Sequence, residues 1–299
     1  MKFGRGKTQT QAVRATLHNE RLTLCVDAGS AFGYNIRHIQ YGFKLAQGGH
    51  SIRKFPQIDR NKAAIDQMCP FEGELLKQVR DFYRVGTTWS SNAIEGNTLT
   101  ESETKILLED GLTIGGKPLR DTYEAIGHGN AYDYMFTLLH SGAISLDNIK
   151  RIHQLFYQSI DADNAGTWRR KPIFVSGSTY VFPAPEELEP KMQELAAWIA
   201  THRDDYHPVE FAAILHLRFV SIHPFLDGNG RTARLLTNLA LIQSGYLPVI
   251  VPPILRMEYM DAIRAYQLHR QQDAFLAFIE TQELETQKDM MQMLHIPKP

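Results

Sequence analysis

The stretch Ser221–Arg234 constrains this chain more than any other, because it places a glycine-rich loop between two helical patterns. Residues 210–220, just before it, are apolar nearly all round, which is typical of a helix buried in a protein core. After it, apolar residues recur at helical spacing from position 235 to position 242. The sequence therefore predicts a buried helix, a tight loop and a second helix.

The loop has the composition of an anion-binding site. Gly228 and Gly230 can adopt a positive φ and let backbone N–H groups approach a ligand closely. Asn229 stands where a helix N-cap is expected, so that free amides and the positive end of the helix dipole would point into the loop. Together these three residues predict a cradle for phosphate groups.

Charged residues surround this predicted cradle. Arg231 and Arg234 are three positions apart, so both guanidinium groups are expected on one side of the new helix, where they would suit a polyphosphate chain. Asp227 offers an oxygen ligand for Mg²⁺, and His223 can accept a proton near neutral pH. Each residue alone has an ordinary structural interpretation as a cap, a turn or a solvated face. Their combination favours a nucleotide-phosphate site.

The segment from His223 to Arg234 also resembles the signature of Fic-domain proteins, His-Pro-Phe-x-(Asp/Glu)-Gly-Asn-Gly-Arg-x-x-Arg, and matches it at every specified position. The resemblance implies a mainly α fold, a Fic-type helical bundle with a small β-hairpin flap near the active site. It implies transfer of AMP from ATP to a Ser, Thr or Tyr hydroxyl of a target protein, with release of pyrophosphate. His223 would be the catalytic base, Asp227 would hold Mg²⁺, and the ATP phosphates would be bound by Gly228, Asn229, Gly230, Arg231 and Arg234.

A second motif lies upstream. Ser91 and Glu95 are one helical turn apart, and Gly96-Asn97 is a plausible helix end, so the residues alone predict a short amphipathic helix at about 87–97. The pattern Ser-x-x-x-Glu-Gly is similar to the inhibitory motif of class II Fic proteins. That resemblance implies that Glu95 pairs with Arg234 and competes with the γ-phosphate of ATP.

Two further expectations concern the surroundings of the site. β-branched and aromatic residues flank a Ser-Gly-Ser turn and predict a β-hairpin, with arms Ile173, Phe174, Val175 and Thr179, Tyr180, Val181. The resemblance implies that this hairpin is a flap that aligns a target segment by main-chain pairing, and a simple surface hairpin is the alternative. By the same resemblance, Tyr259 would lie against the adenine.

The patterns divide the chain into four parts. Residues 1–60 are a basic arm or small appendage, residues 61–118 hold N-terminal helices with the inhibitory segment, residues 119–250 form the Fic core, and residues 251–299 form C-terminal helices. The net charge of −1 does not favour nucleic acid as a partner of the whole molecule. The basic arm leaves open a nucleic-acid-associated regulator as an alternative function.

Composition sets further bounds on location and partners. No apolar run approaches the roughly 18 residues of a membrane span, no apolar segment of a secretory signal follows Met1, and the contexts of Cys25 and Cys69 do not indicate a disulfide framework. A cytoplasmic location is the expectation. The resemblance implies a homodimer and self-modification. Removal of AMP, transfer of another nucleotide or phosphate moiety, and a non-enzymatic binding module remain alternatives.

Overall fold

A computed structural model describes residues 52–69, 71–141, 143–175 and 179–299. The predictions for the basic arm before residue 52, the pairing state of Cys25 and the hairpin turn at 176–178 lie outside these residues. Within them the chain forms ten α-helices, and a π-helical turn (Ile106–Asp110) extends the third. They are α1 (Pro56–Asp66), α2 (Gly73–Ile94), α3 (Glu101–Lys105), α4 (Leu119–Thr137), α5 (Leu146–Tyr157), α6 (Leu188–Thr201), α7 (Pro208–Ile222), α8 (Asn229–Gln243), α9 (Arg256–His269) and α10 (Asp273–Met293).

The buried helix pair α7–α8 forms the centre of the fold. α7 packs against α8, α6, α9 and α10, while α8 also contacts α2, α4 and α5. The apolar side chains of α7 and α8 are almost fully buried, as Leu217, Phe219 and Leu239 illustrate at 0% exposure. Each such side chain contributes about 1.5–3 kcal/mol of burial free energy, so the loop between α7 and α8 lies on a rigid support. The mainly α helical bundle predicted from the sequence is confirmed.

The sequence pattern predicted a separate short helix for the predicted inhibitory segment, and this is wrong. Residues 87–94 are the last two turns of the 22-residue helix α2. Thr87 donates its hydroxyl to the carbonyl oxygen of Tyr83, one turn back, at 2.6 Å, so its polar side chain is satisfied without breaking the helix. Thr87, Ser90 and Ser91 are buried against the bundle, and this packing carries the helix through a polar sequence.

The predicted β-hairpin is not confirmed. Residues 172–175 and 179–184 have no strand conformation, and no strand occurs elsewhere among the described residues. Phe174 and Val181, one from each predicted arm, are 96% and 87% exposed. Two isolated strands are marginal without a third strand or an apolar surface to cover them, which explains why strand-forming residues alone did not produce a hairpin here.

None of the described helices combines the length and apolar character that crossing a bilayer requires.

Candidate active site

The loop between α7 and α8 has left-handed backbone at both ends. His223 follows α7 with φ 53° and ψ 59°, an uncommon conformation for a residue with a side chain, and its N–H donates to the carbonyl of Phe219. Gly228 follows with φ 77° and is the N-cap of α8. A Cβ at Gly228 would lie 2.5 Å from Cε1 of Phe156, so both the space and the backbone require glycine here.

Asn229 is not the N-cap that the sequence analysis placed there. It is the first residue of α8, and its buried side chain bonds to the backbone of Phe225. Asn229 Oδ1 accepts from the Phe225 N–H and Asn229 Nδ2 donates to the Phe225 carbonyl, each at 2.9 Å. The Asn229 side chain therefore links the start of α8 to the loop residue Phe225. The N-cap position is taken by Gly228, whose positive φ suits glycine.

His153 of α5 supports the loop from below. Its Nδ1 accepts from the N–H of Gly166 at 2.9 Å, so its Nε2 must carry the proton that it shares with the Asp227 carbonyl at 3.0 Å. The ring stacks on Phe225 with centroids 3.7 Å apart. Burial lowers the pKa of His153 to about 4, which keeps this neutral tautomer at physiological pH.

Arg169 ties the loop to the segment that precedes α6. Its Nε donates to the carbonyl of His223 at 2.9 Å, and its two Nη atoms donate to the carbonyls of Lys171 and Pro183. Its own N–H donates to the carbonyl of Pro224. The residue is 3% exposed, and no carboxylate forms an ion pair with it in the described part of the chain. Arg169 thus holds the strained backbone of His223 and both stems of the predicted flap together.

The His223 side chain is neutral at physiological pH. Burial lowers its pKa to about 4, while its hydrogen bond with the Val220 backbone acts in the opposite direction and the nearby Arg169 charge lowers the pKa further. Its ring packs against Phe182 with centroids 4.7 Å apart. A neutral imidazole with this restricted orientation can accept a proton.

Arg231 lies on the α4 and α5 side of α8. Its Nη1 is 3.0 Å from Glu124 Oε1, its Cζ lies 4.2 Å from the ring centre of Phe156, and its Nη1 also donates to Asn92 Oδ1. Both members of the ion pair are buried, with side chains 3% and 7% exposed. The Arg231 guanidinium is therefore held in a permanent pocket.

Arg234 lies nearly one turn further along α8, against the end of α2. Its Nε and Nη2 donate to the hydroxyl and the carbonyl oxygen of Ser91 at 2.8 and 2.9 Å. Nη2 also forms an ion pair with Glu95 Oε1 at 2.8 Å, and Nη1 donates to the Tyr259 hydroxyl at 3.2 Å. The structure thus brings together the two residues that the resemblance paired.

Glu95 lies directly over the start of α8. A Cβ on Gly230 would lie 2.5 Å from Glu95 Oε1, so the glycine makes room for this carboxylate. Burial raises the pKa of the Glu95 carboxyl, but the charge and hydrogen bond of Arg234, with Arg231 behind it, hold the net pKa below its usual value. The side chain is still 36% exposed, so the carboxylate has access to water while it is paired with Arg234.

Tyr259 has a different environment from the one expected. Its side chain is 1% exposed, and its hydroxyl contacts Arg234 Nη1 and His216 Nε2. An adenine contact for Tyr259 stays a prediction, and the contacts of the structure place its hydroxyl behind Arg234 instead.

Asp227 is the half-exposed carboxylate of the loop. Its Oδ1 accepts from the Gly228 N–H, and its Oδ2 lies 3.3 Å from Arg120 Nη2 and 3.8 Å from Arg231 Nη2. The described residues contain no group of three or more His, Cys, Asp or Glu side chains arranged to hold a metal. One accessible carboxylate suits Mg²⁺ that is bound mainly by substrate phosphates.

Sequence reasoning missed three residues of this site, Arg169, His153 and Glu124. Each acts through contacts with residues far away in the chain. Only Arg169 left a signal, because the segment Gly166–Pro172 interrupts the helical pattern and carries three consecutive cations.

Comparisons with known proteins agree with the fold and the site. A model of the Fic/DOC family matches residues 143–241. A protein adenylyltransferase Fic from Drosophila yakuba is 34% identical over 214 residues, 71% of this chain and 43% of that protein. The chain therefore spans less than half the length of this curated relative.

Two solved structures show the same likeness. A variant of Fic-1 from C. elegans is 30% identical with a TM-score of 0.69, covering 79% of this chain and 70% of that one. A Fic domain containing signaling protein from Bacteroides thetaiotaomicron is 26% identical with a TM-score of 0.71, covering 78% and 95%. With the intact signature and the shared helical bundle, these matches lead to one conclusion: the chain belongs to the Fic/DOC family.

Proposed function

We propose that this chain transfers AMP from ATP to a hydroxyl group of a protein, and that Glu95 restrains the reaction. The observation that carries the proposal is the ion pair between Glu95 Oε1 and Arg234 Nη2 at 2.8 Å, on top of the helix start that carries the signature. The name of the Drosophila relative, an adenylyltransferase, supports the same reaction class.

In the proposed reaction His223 accepts the proton of the incoming hydroxyl. Its neutral ring, held by the Arg169 bond to its carbonyl, suits that role. A pKa of about 4 is low for a base at neutral pH, and the negative charge of a bound nucleotide would raise it toward neutrality. The hydroxyl oxygen attacks the α-phosphorus, the bond to the β-phosphate bridging oxygen breaks, and pyrophosphate leaves.

The α8 end of the site provides the positive charge for this step. The free N–H groups at the start of α8, with Arg231 and Arg234, are placed to bind the phosphates. Asp227 would hold Mg²⁺, which neutralises phosphate charge when it is bound. Such chemistry depends on positioning and charge stabilisation more than on covalent steps.

Restraint by Glu95 follows from competition for one cation. The Glu95 carboxylate occupies the Arg234 Nη2 that the γ-phosphate requires, so ATP is expected to bind in an unproductive pose while the pair is intact. The acceptor hydroxyl would belong to a target protein or to the chain itself, which would form a homodimer.

The test follows label from ATP that carries the isotope at the α-phosphorus, with and without Mg²⁺. Glu95→Gly is expected to label itself or an added protein extract, and Glu95→Gly with His223→Ala is expected to label neither. If both variants label equally, His223 is not the base. If Glu95→Gly incorporates label only from γ-labelled ATP, the reaction is phosphoryl transfer. If it instead releases AMP from labelled protein, removal of AMP is the activity.

A further inference from the structure

A directed chain of hydrogen bonds runs from Arg234 into the core. Arg234 Nη1 donates to the Tyr259 hydroxyl, which contacts His216 Nε2 at 2.9 Å, and His216 Nδ1 contacts Thr237 Oγ1 at 2.9 Å. Thr237 in turn donates its hydroxyl to the carbonyl of Ala233 at 2.9 Å. All four side chains that form this hydrogen-bonded series are at least nine-tenths buried.

The protons of this chain have one consistent arrangement. Because Thr237 uses its only hydroxyl proton on the Ala233 carbonyl, it must accept from His216 Nδ1–H. Burial, together with the Arg234 charge, lowers the pKa of His216 to about 3, so the ring carries a single proton. Its Nε2 is therefore bare and accepts the hydroxyl proton of Tyr259, whose oxygen then presents its lone pairs to Arg234.

This arrangement gives Arg234 two separate supports. The Nε and Nη2 atoms rest on Ser91 and Glu95, at the end of α2. The Nη1 atom rests on Tyr259, which belongs to α9 and not to the inhibitory segment. When Glu95 leaves Nη2, the two Ser91 bonds and the Tyr259 bond remain, and the Tyr259 bond is the one that holds Nη1 from outside α2.

We propose that His216 and Tyr259 are positioning residues that hold the Arg234 guanidinium ready for the γ-phosphate once Glu95 withdraws. The inference rests on the proposed function, since it assigns the γ-phosphate to Arg234. It gives the buried Tyr259 hydroxyl and the His216 tautomer a role that the inhibitory pair does not require.

The test compares the affinities of ATP and AMP by titration calorimetry in the Glu95→Gly background. Tyr259→Phe removes one hydrogen bond to a charged group, so ATP affinity is expected to fall about tenfold. AMP lacks the γ-phosphate, and its affinity is expected to change less than about twofold on the same reasoning. His216→Leu is expected to weaken ATP less than Tyr259→Phe does, and His216→Gln, whose amide oxygen can accept from Tyr259, less still.

Tyr132→Phe is the matched control. Tyr132 is fully buried on α4, and its hydroxyl has no hydrogen-bond partner among the described residues, so its loss is expected to leave the affinities for ATP and AMP unchanged. Equal losses of ATP and AMP affinity in Tyr259→Phe, or no loss, would overturn the positioning role. If Glu95→Gly itself binds no ATP, the proposed function fails and this role fails with it.

A second measurement reads the direction of the hydrogen bonds in the unmodified protein, and a substitution is used only to assign the signal. Nitrogen NMR of histidine-labelled protein is expected to show His216 with a protonated Nδ1 and a bare Nε2 from pH 8 down to pH 5, about two units above the pKa of about 3. Its signal is assigned by its loss in His216→Gln. A proton on Nε2 at pH 7 would contradict the directed chain.

Discussion

The two buried arginines of α8 have carboxylate partners that differ in their exposure to water. Arg231 is paired with Glu124, whose side chain is 7% exposed, and it lies over the Phe156 ring. Arg234 is paired with Glu95, whose side chain is 36% exposed and stands at the very end of α2. A buried pair cannot exchange partners without leaving a charge in the core, whereas a partly exposed carboxylate can move into water. Of the two ion pairs, the one between Arg234 and Glu95 is therefore the one whose carboxylate has access to water.

The largest expected effect is on the Arg231 side. Glu124→Ala would leave a buried guanidinium without its carboxylate, so we expect a loss of about 3 kcal/mol in the free energy of unfolding. Glu95→Ala is expected to lose less than about 1 kcal/mol, because its pair is partly solvated. Urea unfolding of the two variants measures both values, and equal losses would break the comparison.

Arg169 sharpens the comparison as a buried arginine whose bonds go to carbonyl oxygens. We expect Arg169→Met to lose about 2 kcal/mol of unfolding free energy, because three acceptors lose a donor. AMP transfer in the Glu95→Gly background is expected to fall about a hundredfold, because His223 loses its backbone anchor. Arg169→Lys, the control, retains the charge and one donor nitrogen. Its stability and AMP transfer should lie between those of the parent and Arg169→Met. A stable, fully active Arg169→Met would show that the anchor is dispensable.

Glu283 is a buried carboxyl that forms no ion pair with an arginine among the described residues, and burial therefore favours its protonated form. Burial raises its pKa to about 8, while the Leu247 N–H and Gln287 act in the opposite direction. A folded-state pKa raised above the ordinary 4.5 gives stability that is complete below pH 4.5 and is lost as the pH rises through about 8. The free energy of unfolding should fall by up to about 1.4 kcal/mol per pH unit in this window. Melting of Glu283→Gln from pH 5 to pH 8.5 should show a flatter profile than the parent, and an equal slope would refute the assignment.

The smallest effect is expected at Arg120, whose side chain is 58% exposed and pairs with Glu124 at 3.0 Å and with Asp227 at 3.3 Å. When Arg120 is removed, Glu124 keeps Arg231 as a partner. Arg120→Ala should change the unfolding free energy by less than about 1 kcal/mol. The variant should bind Mn²⁺, a spectroscopic substitute for Mg²⁺, more tightly in the presence of ATP, because a competing cation has left Asp227. Electron paramagnetic resonance of free Mn²⁺ measures this. Weaker binding would mean that Arg120 helps to hold the nucleotide instead.

The loop could be predicted from sequence because its chemistry is local. His223, Asp227 and the two glycines belong to one continuous segment, and the structure places them at the junction of α7 and α8. The Glu95–Arg234 pair spans 139 positions and was predicted only through a resemblance. Periodic patterns of residues do not predict contacts between positions so far apart in the sequence.

The remaining differences have physical causes. Partners such as Glu124 and Arg169 were missed because their roles arise from tertiary contacts that leave no periodic pattern. The hairpin was predicted from β-propensity, which depends on side-chain packing, whereas Phe174 and Val181, one from each predicted arm, are exposed. Asn229 was predicted as the N-cap from its residue type. The N-cap is residue 228, where a Cβ would collide with Phe156, so only glycine fits.

One measurement tests directly whether Glu95 restrains AMP transfer by occupying Arg234. The initial rate of AMP incorporation from α-labelled ATP is compared between the parent chain and Glu95→Gln, which keeps the size of the side chain and removes its charge. The account predicts a rise of at least about tenfold, since one charged hydrogen bond no longer competes with the γ-phosphate. Equal rates in two variants that both bind ATP would contradict it.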